Sequence, residues 1–218
     1  MRLARAAFTF ASFLAAVAAC AAPAAARRGP SWDEVNTPAA IRALHDFAHC
    51  VARSHFSRVR AREVLGMDYR TREYRDAIIA LADEHNGCLQ PASRIRFSIL
   101  LFAGGLAEAL LPEHRDLATL VAYDPARPPV EARDEIEMMS LCAVRGAPAE
   151  VAALLATAPA SDDEAAARSA LMPQLGRCLR AGARTRLNPL EIRALLASAA
   201  WRLSQQNVGA RTATATGS

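Results

Sequence analysis

The chain has 218 residues, 52% of them hydrophobic and 22% charged, with 26 basic against 22 acidic side chains and a formal net charge of +4. That balance excludes an intrinsically disordered chain, and only 10 glycines and 12 prolines exclude a collagen-like one. Every basic residue is arginine, alanine supplies roughly a quarter of the chain, and aromatic residues are only 6%, so the expected fold class is all-α.

Met1-Arg2-Leu3-Ala4-Arg5 is a short basic segment, followed by an apolar or small run from Ala6 to Ala19, then Pro23 and the small residues Ala24-Ala25-Ala26. Residues 1–26 read as a secretory signal peptide, because the apolar run falls short of the roughly 20 residues that span a bilayer. Val17-Ala18-Ala19-Cys20 also resembles a bacterial lipobox, in which Cys20 is lipidated and becomes the new N-terminus. The expected location is therefore the periplasm or the exterior, or the outer membrane if Cys20 carries lipid. Removal of 1–26 takes away Arg2 and Arg5 and lowers the formal charge from +4 to +2.

Residues 31–112 read as a unit of about four helices. Thr37-Pro38 opens the first, with Ile41, Leu44, Ala48 and Val51 on one face through to about Arg53. A second runs from about Phe56 to Leu65 and stops at Gly66. Thr71 caps a third, with Ala77, Ile78, Leu81 and Ala82 as its stripe, until Asn86-Gly87. Ser98 caps an apolar fourth that ends before Pro112, and its Gly104-Gly105 pair weakens helix propensity. The proline-rich stretch 113–130 reads as a linker. A second unit, 131–206, repeats the plan with helices near 131–145, 148–156, 162–176 and 189–203, the last two capped by Ser161 and Asn188. The tail 207–218 has nothing to bury and is expected to be disordered.

The plan repeats because the sequence does. Phe47 to Arg53 aligns with Met139 to Arg145 across Cys50 and Cys142. Cys88-Leu89, Arg94, Arg96 and Phe97 recur at identical spacing as Cys178-Leu179, Arg184, Arg186 and Leu187. The same offset pairs Ser98 with Asn188, Leu106 with Leu196 and Ala107 with Ala197. Two tandem copies, packed together, are expected. Setting Cys20 aside leaves four cysteines at equivalent positions, and the repeat selects Cys50 with Cys88 and Cys142 with Cys178. A zinc site or redox pair built from these thiols fits poorly, since no C-x-x-C occurs.

Candidate chemistry is sparse. His45-Asp46-Phe47-Ala48-His49 places two histidines four apart on a helix, where they can share a metal. Over those five residues the motif looks like the zincin pattern H-E-x-x-H, with the shorter Asp46 in place of the glutamate base and His55 or His85 as available third ligands. The second copy has Glu137 to Leu141 at this place and keeps no such pair. Arg94 and Arg96, with Arg184 and Arg186, precede helix N-termini and suit phosphate or carboxylate, or else pair with nearby acids. The arginine run from Arg53 to Arg75 is interleaved with Glu63, Glu73 and Asp76, so no nucleic-acid partner is expected. No serine-nucleophile elbow, phosphate loop or dinucleotide fingerprint is present, and no catalytic residue or cofactor is expected.

The doubled pattern, a cysteine near the first helix and C-L followed by R-x-R-[FL]-[SN] before the last, resembles exported helical proteins of high-GC bacteria. The resemblance spans most of the chain beyond residue 26. It implies an envelope location and an all-α fold, and it carries no activity. The function expected is that of an exported helical-repeat protein, either one that binds a protein or envelope component in a groove between its halves or a structural protein, with membrane contact only through a lipidated Cys20. The alternative is a metal-dependent hydrolase centred on His45 and His49.

Overall fold

A computed structural model describes residues 37–89, 97–112, 116–126, 128–183, 185 and 187–215, with side chains as far as Gln206. Residues 1–26, Cys20 among them, and Arg94, Arg96, Arg184 and Arg186 lie outside the described residues. The described residues are helical, without strand. In chain order α1 is Pro38–Val51, α2 His55–Gly66, α3 Arg72–Asp83 and α4 Ile99–Leu110, with a 3-10 turn at Asn86–Cys88. There follow α5 (Leu117–Val121), α6 (Glu135–Gly146), α7 (Pro148–Ala156), α8 (Asp162–Arg177) and α9 (Pro189–Ala215).

Most helices start where a side-chain oxygen can take a free backbone N–H. Thr37, Ser54, Thr71, Asp134 and Ser161 each accept a bond from the backbone N–H three residues on. Asn188 caps α9 through Leu190 N at 3.1 Å, whereas Ser98, expected to do the same for α4, makes no capping bond.

Two segments differ from expectation. The linker 113–130 contains α5, which caps itself on Asp116 and buries Leu117, Leu120 and Val121. The backbone of α9 continues to Ala215, so 207–215 is helical where the sequence leaves it unstructured; no proline interrupts it, and alanines at 210, 213 and 215 favour the helix.

Burial divides into two apolar clusters. One gathers Leu44, Phe47, Val51, Val64, Ile78, Leu81, Phe102 and Leu106 from α1 to α4. The other gathers Leu117, Leu120, Met139, Val144, Val151, Leu154, Leu171 and Leu175 from α5 to α8. Helix α9 serves both: Ala197 and Trp201 face the first, and Ile192, Leu196, Ala199 and Leu203 the second. We call α1 to α4 the first half and α5 to α8 the second, with α9 between them.

Each half carries one disulfide. Cys50 at the end of α1 is bonded to Cys88 in the 3-10 turn, with Cα atoms 5.8 Å apart, and Cys142 in α6 to Cys178 after α8, at 5.7 Å. These are the pairings expected from the sequence, and they fit an oxidising compartment. Among the described residues no single helix is long and apolar enough to cross a membrane. Helices α6 and α7 pass such a test only as a pair bent by 99°, and they bury Met139, Val144, Val151 and Leu154 in the second cluster.

The Gly104-Gly105 pair has a packing role. A Cβ at Gly104 would overlap Cα and Cβ of Ala194 on α9, and one at Gly105 would lie 2.7 Å from Cβ of Ala48 on α1. Helix α4 therefore meets α9 backbone to backbone at Gly104 and takes the Ala48 methyl of α1 against its own backbone at Gly105. Gly104→Ala gains helix propensity, yet it is expected to lower stability by about 1–3 kcal/mol because the overlap is with backbone, which cannot step aside. Urea denaturation midpoints check this, and a midpoint at or above that of the wild type would refute the close approach.

Candidate functional site

The α4–α9 contact has a recess on each side. On one, Ile99, Leu100 and Ala103 of α4 and Glu191, Leu195 and Ser198 of α9 floor a cleft of about 610 Å³ between the halves. On the other, Leu101 and Glu108 of α4 and Leu190 and Arg193 of α9 border a small recess of about 30 Å³ next to His45.

One wall of the cleft is Leu65 and the segment Tyr69 to Arg75; the other is Arg133 to Ser140. The two walls are tied to each other. The Tyr69 hydroxyl donates to Asp134, Arg70 Nη1 donates to the Arg133 carbonyl at 2.5 Å, and Arg133 Nη2 donates to the Gly66 carbonyl at 3.1 Å. The Arg133 guanidinium also lies 5.6 Å from the centre of the Tyr69 ring, within cation–π range. Deeper in, Arg202 donates to Glu137, which also faces Arg133 at 3.5 Å.

Most of the charge lining the cleft is therefore already paired. Arg70 is held by Asp68, and its hydrogen bonds keep the Asp68 carboxyl well below the usual range. Burial, then the bond to Asp134, pushes the Tyr69 phenol up. Burial also raises Tyr74, to about 12, so both phenols remain protonated donors at neutral pH. Among the described residues the Tyr74 hydroxyl makes no hydrogen bond, and Arg75 and Glu191 have no ion pair. The cleft thus combines a largely apolar floor, which includes Trp201 and carries the unpaired Glu191, with a free phenol and guanidinium on neighbouring residues of one wall.

The small recess sits over a buried polar cluster. Arg193 donates to both oxygens of Glu108, from Nε to Oε2 at 2.9 Å and from Nη2 to Oε1 at 2.6 Å. It also donates to the carbonyls of Leu154 at 3.0 Å, Leu155 at 2.8 Å and Thr157 at 3.1 Å, at and just beyond the end of α7. Glu164 lies 3.7 Å from Nη1. His45 Nε2 is 3.2 Å from Glu108 Oε1, and the His45 and His49 rings are 4.1 Å apart. Burial alone would raise the Glu108 carboxyl, but its hydrogen bonds to His45 and Arg193 outweigh that and hold it below the ordinary value. Burial, with His45 beside it, lowers His49, and its buried Nε2 has no hydrogen-bond partner.

Of the residues singled out in the sequence, the four cysteines form the two bridges, and His45 and His49 do meet. Their neighbour is Glu108, not His55 or His85. His85 is engaged elsewhere, with Nδ1 2.8 Å from the Leu81 carbonyl and Nε2 2.5 Å from Ser57 Oγ, and His55 is exposed at the start of α2. The arginines at 94, 96, 184 and 186, and with them the anion-binding expectation, fall outside the described residues. Sequence reasoning missed Glu108 and Arg193. Each is a single charge within an apolar stretch, Ile99–Leu110 and Ile192 to Ala200, and a lone charge on a buried helix signals a buried partner.

Comparison with protein-family models, curated proteins and solved structures finds no match to this chain. Of the resemblance to exported helical proteins, the structure shares the all-helical character.

Proposed function

We propose that the protein is an exported binding protein made of two related helical units, and that the cleft between them takes an amphipathic acid of the cell envelope. The observation that carries this reading is the cleft itself. Its volume of about 610 Å³ lies in the range of small-molecule sites, roughly 300–1,000 Å³. The apolar floor of Ile99, Leu100, Leu195 and Trp201 suits a hydrocarbon body, and the unpaired Arg75 with the free Tyr74 hydroxyl suits an acidic head. Relatedness of the two units is supported by the aligned cysteines and by bridges that span 38 and 36 residues at equivalent places. Export is supported by the basic and apolar segment 1–26 and by the disulfides.

The chain has two tryptophans, Trp32 and Trp201, so in a Trp32→Phe background the emission of Trp201 reports on the cleft. Titration with palmitate is expected to change that emission saturably. Arg75→Ala should weaken binding about tenfold, the equivalent of about 1.4 kcal/mol. Ser198→Phe, which places a ring in the cleft, should abolish it. An emission that stays constant up to the solubility limit of palmitate would overturn the proposal.

A further inference from the structure

The buried cluster on the other side of the α4–α9 contact contains one group that the fold leaves unsatisfied. Nε2 of His49 is shut off from solvent and makes no hydrogen bond, a state that proteins rarely leave uncompensated. Two ligand-type side chains stand beside it. One nitrogen from each of His45 and His49 and one oxygen of Glu108 all lie within 4.8 Å of one another. From this geometry we infer that His45, His49 and Glu108 bind a divalent transition ion of the zinc class.

Three features support the site. First, ligand bonds of about 2.0–2.2 Å at a tetrahedral angle put two donor atoms about 3.3 Å apart. His45 Nε2 and Glu108 Oε1 are 3.2 Å apart already, so the ion replaces the hydrogen between them. His45 then carries its proton on Nδ1, and a small rotation of His49 completes three protein ligands. Second, two imidazoles and one carboxylate favour zinc over the oxygen-seeking magnesium and calcium. Third, a carboxylate offers about four lone-pair directions. Arg193 occupies one on each oxygen, which fixes the carboxylate plane and leaves the side of Oε1 facing His45 for the ion. The recess of about 30 Å³ bordered by His45 and Glu108 has room for one water as fourth ligand. Because α1 supplies the histidines and α4 the carboxylate, the ion clamps these two helices at the level of the Gly105–Ala48 contact. The site is independent of the cleft.

The test uses the full chain without an affinity tag, dialysed against Zn²⁺ and, separately, Co²⁺. One equivalent of zinc per chain is expected, with a visible spectrum typical of four-coordinate cobalt and a rise in thermal midpoint on zinc addition. His49→Phe is the informative variant: since His49 Nε2 has no partner in the fold, its loss leaves nothing unpaired, and a folded protein that no longer binds zinc supports the site. His85→Ala should bind as the wild type does. Absence of stoichiometric zinc, or zinc retained in both His49→Phe and His45→Phe, would overturn the inference. Loss of zinc in His85→Ala with retention in His49→Phe would do so equally.

Discussion

Arg193→Ala is expected to lower the unfolding free energy by about 3–5 kcal/mol, the cost of stranding a buried charge. The Arg193 and Glu108 side chains are only 9% and 11% exposed, and with Arg193 gone Glu108 Oε2 and the Leu155 and Thr157 carbonyls lose their donor, while Oε1 keeps only His45. The loss should be strongly non-additive. Glu108→Leu alone leaves the guanidinium only Glu164, at 3.7 Å, as counter-charge, whereas Arg193→Leu with Glu108→Leu removes both members of the pair and should cost less than the sum of the single changes. Urea unfolding of the four proteins in the cycle checks this. Additive losses would mean that arginine and carboxylate do not act as a pair.

Removing either disulfide comes next in size. The bridges span 38 and 36 residues, and on the chain-entropy model loops of that length contribute about 4 kcal/mol each. Against a typical total of about 5–15 kcal/mol, losing one is a large part of the fold's stability. Cys50→Ala with Cys88→Ala and Cys142→Ala with Cys178→Ala should therefore fall by similar amounts. Denaturant titration of the two variants measures it, and non-reducing peptide maps should recover the remaining bridge intact. A fall below about 1 kcal/mol in either variant would show that the unfolded chain is not constrained as the model assumes.

Local signals in the sequence carried most of the helical plan. Thr37-Pro38, Thr71 and Ser161 mark their helix starts because a cap is decided by residues three apart, and such chemistry is legible without tertiary information. The repeat chose the cysteine pairing. It missed α5, whose five residues are too few to show a period and lie among prolines and polar residues. The glycines of α4 were read as a weakness in a helix, although their use is to admit Ala194 and Ala48, which lie far along the chain. The polar cluster was half legible: His45 and His49 share a helix face, but Glu108 and Arg193 are 85 residues apart, and no local pattern reports which distant charges a fold will join.

Helix α9 lends side chains to both apolar clusters, and this sets how the molecule comes apart. Melting the first cluster frees Ala197 and Trp201, and with them the helix that carries Ile192, Leu196 and Leu203 of the second. Neither half can then lose its structure while the other keeps a complete interior. Two bridged halves that look like separate modules along the chain are one cooperative unit in the fold, and the cleft, bounded by both, exists only while that unit is whole.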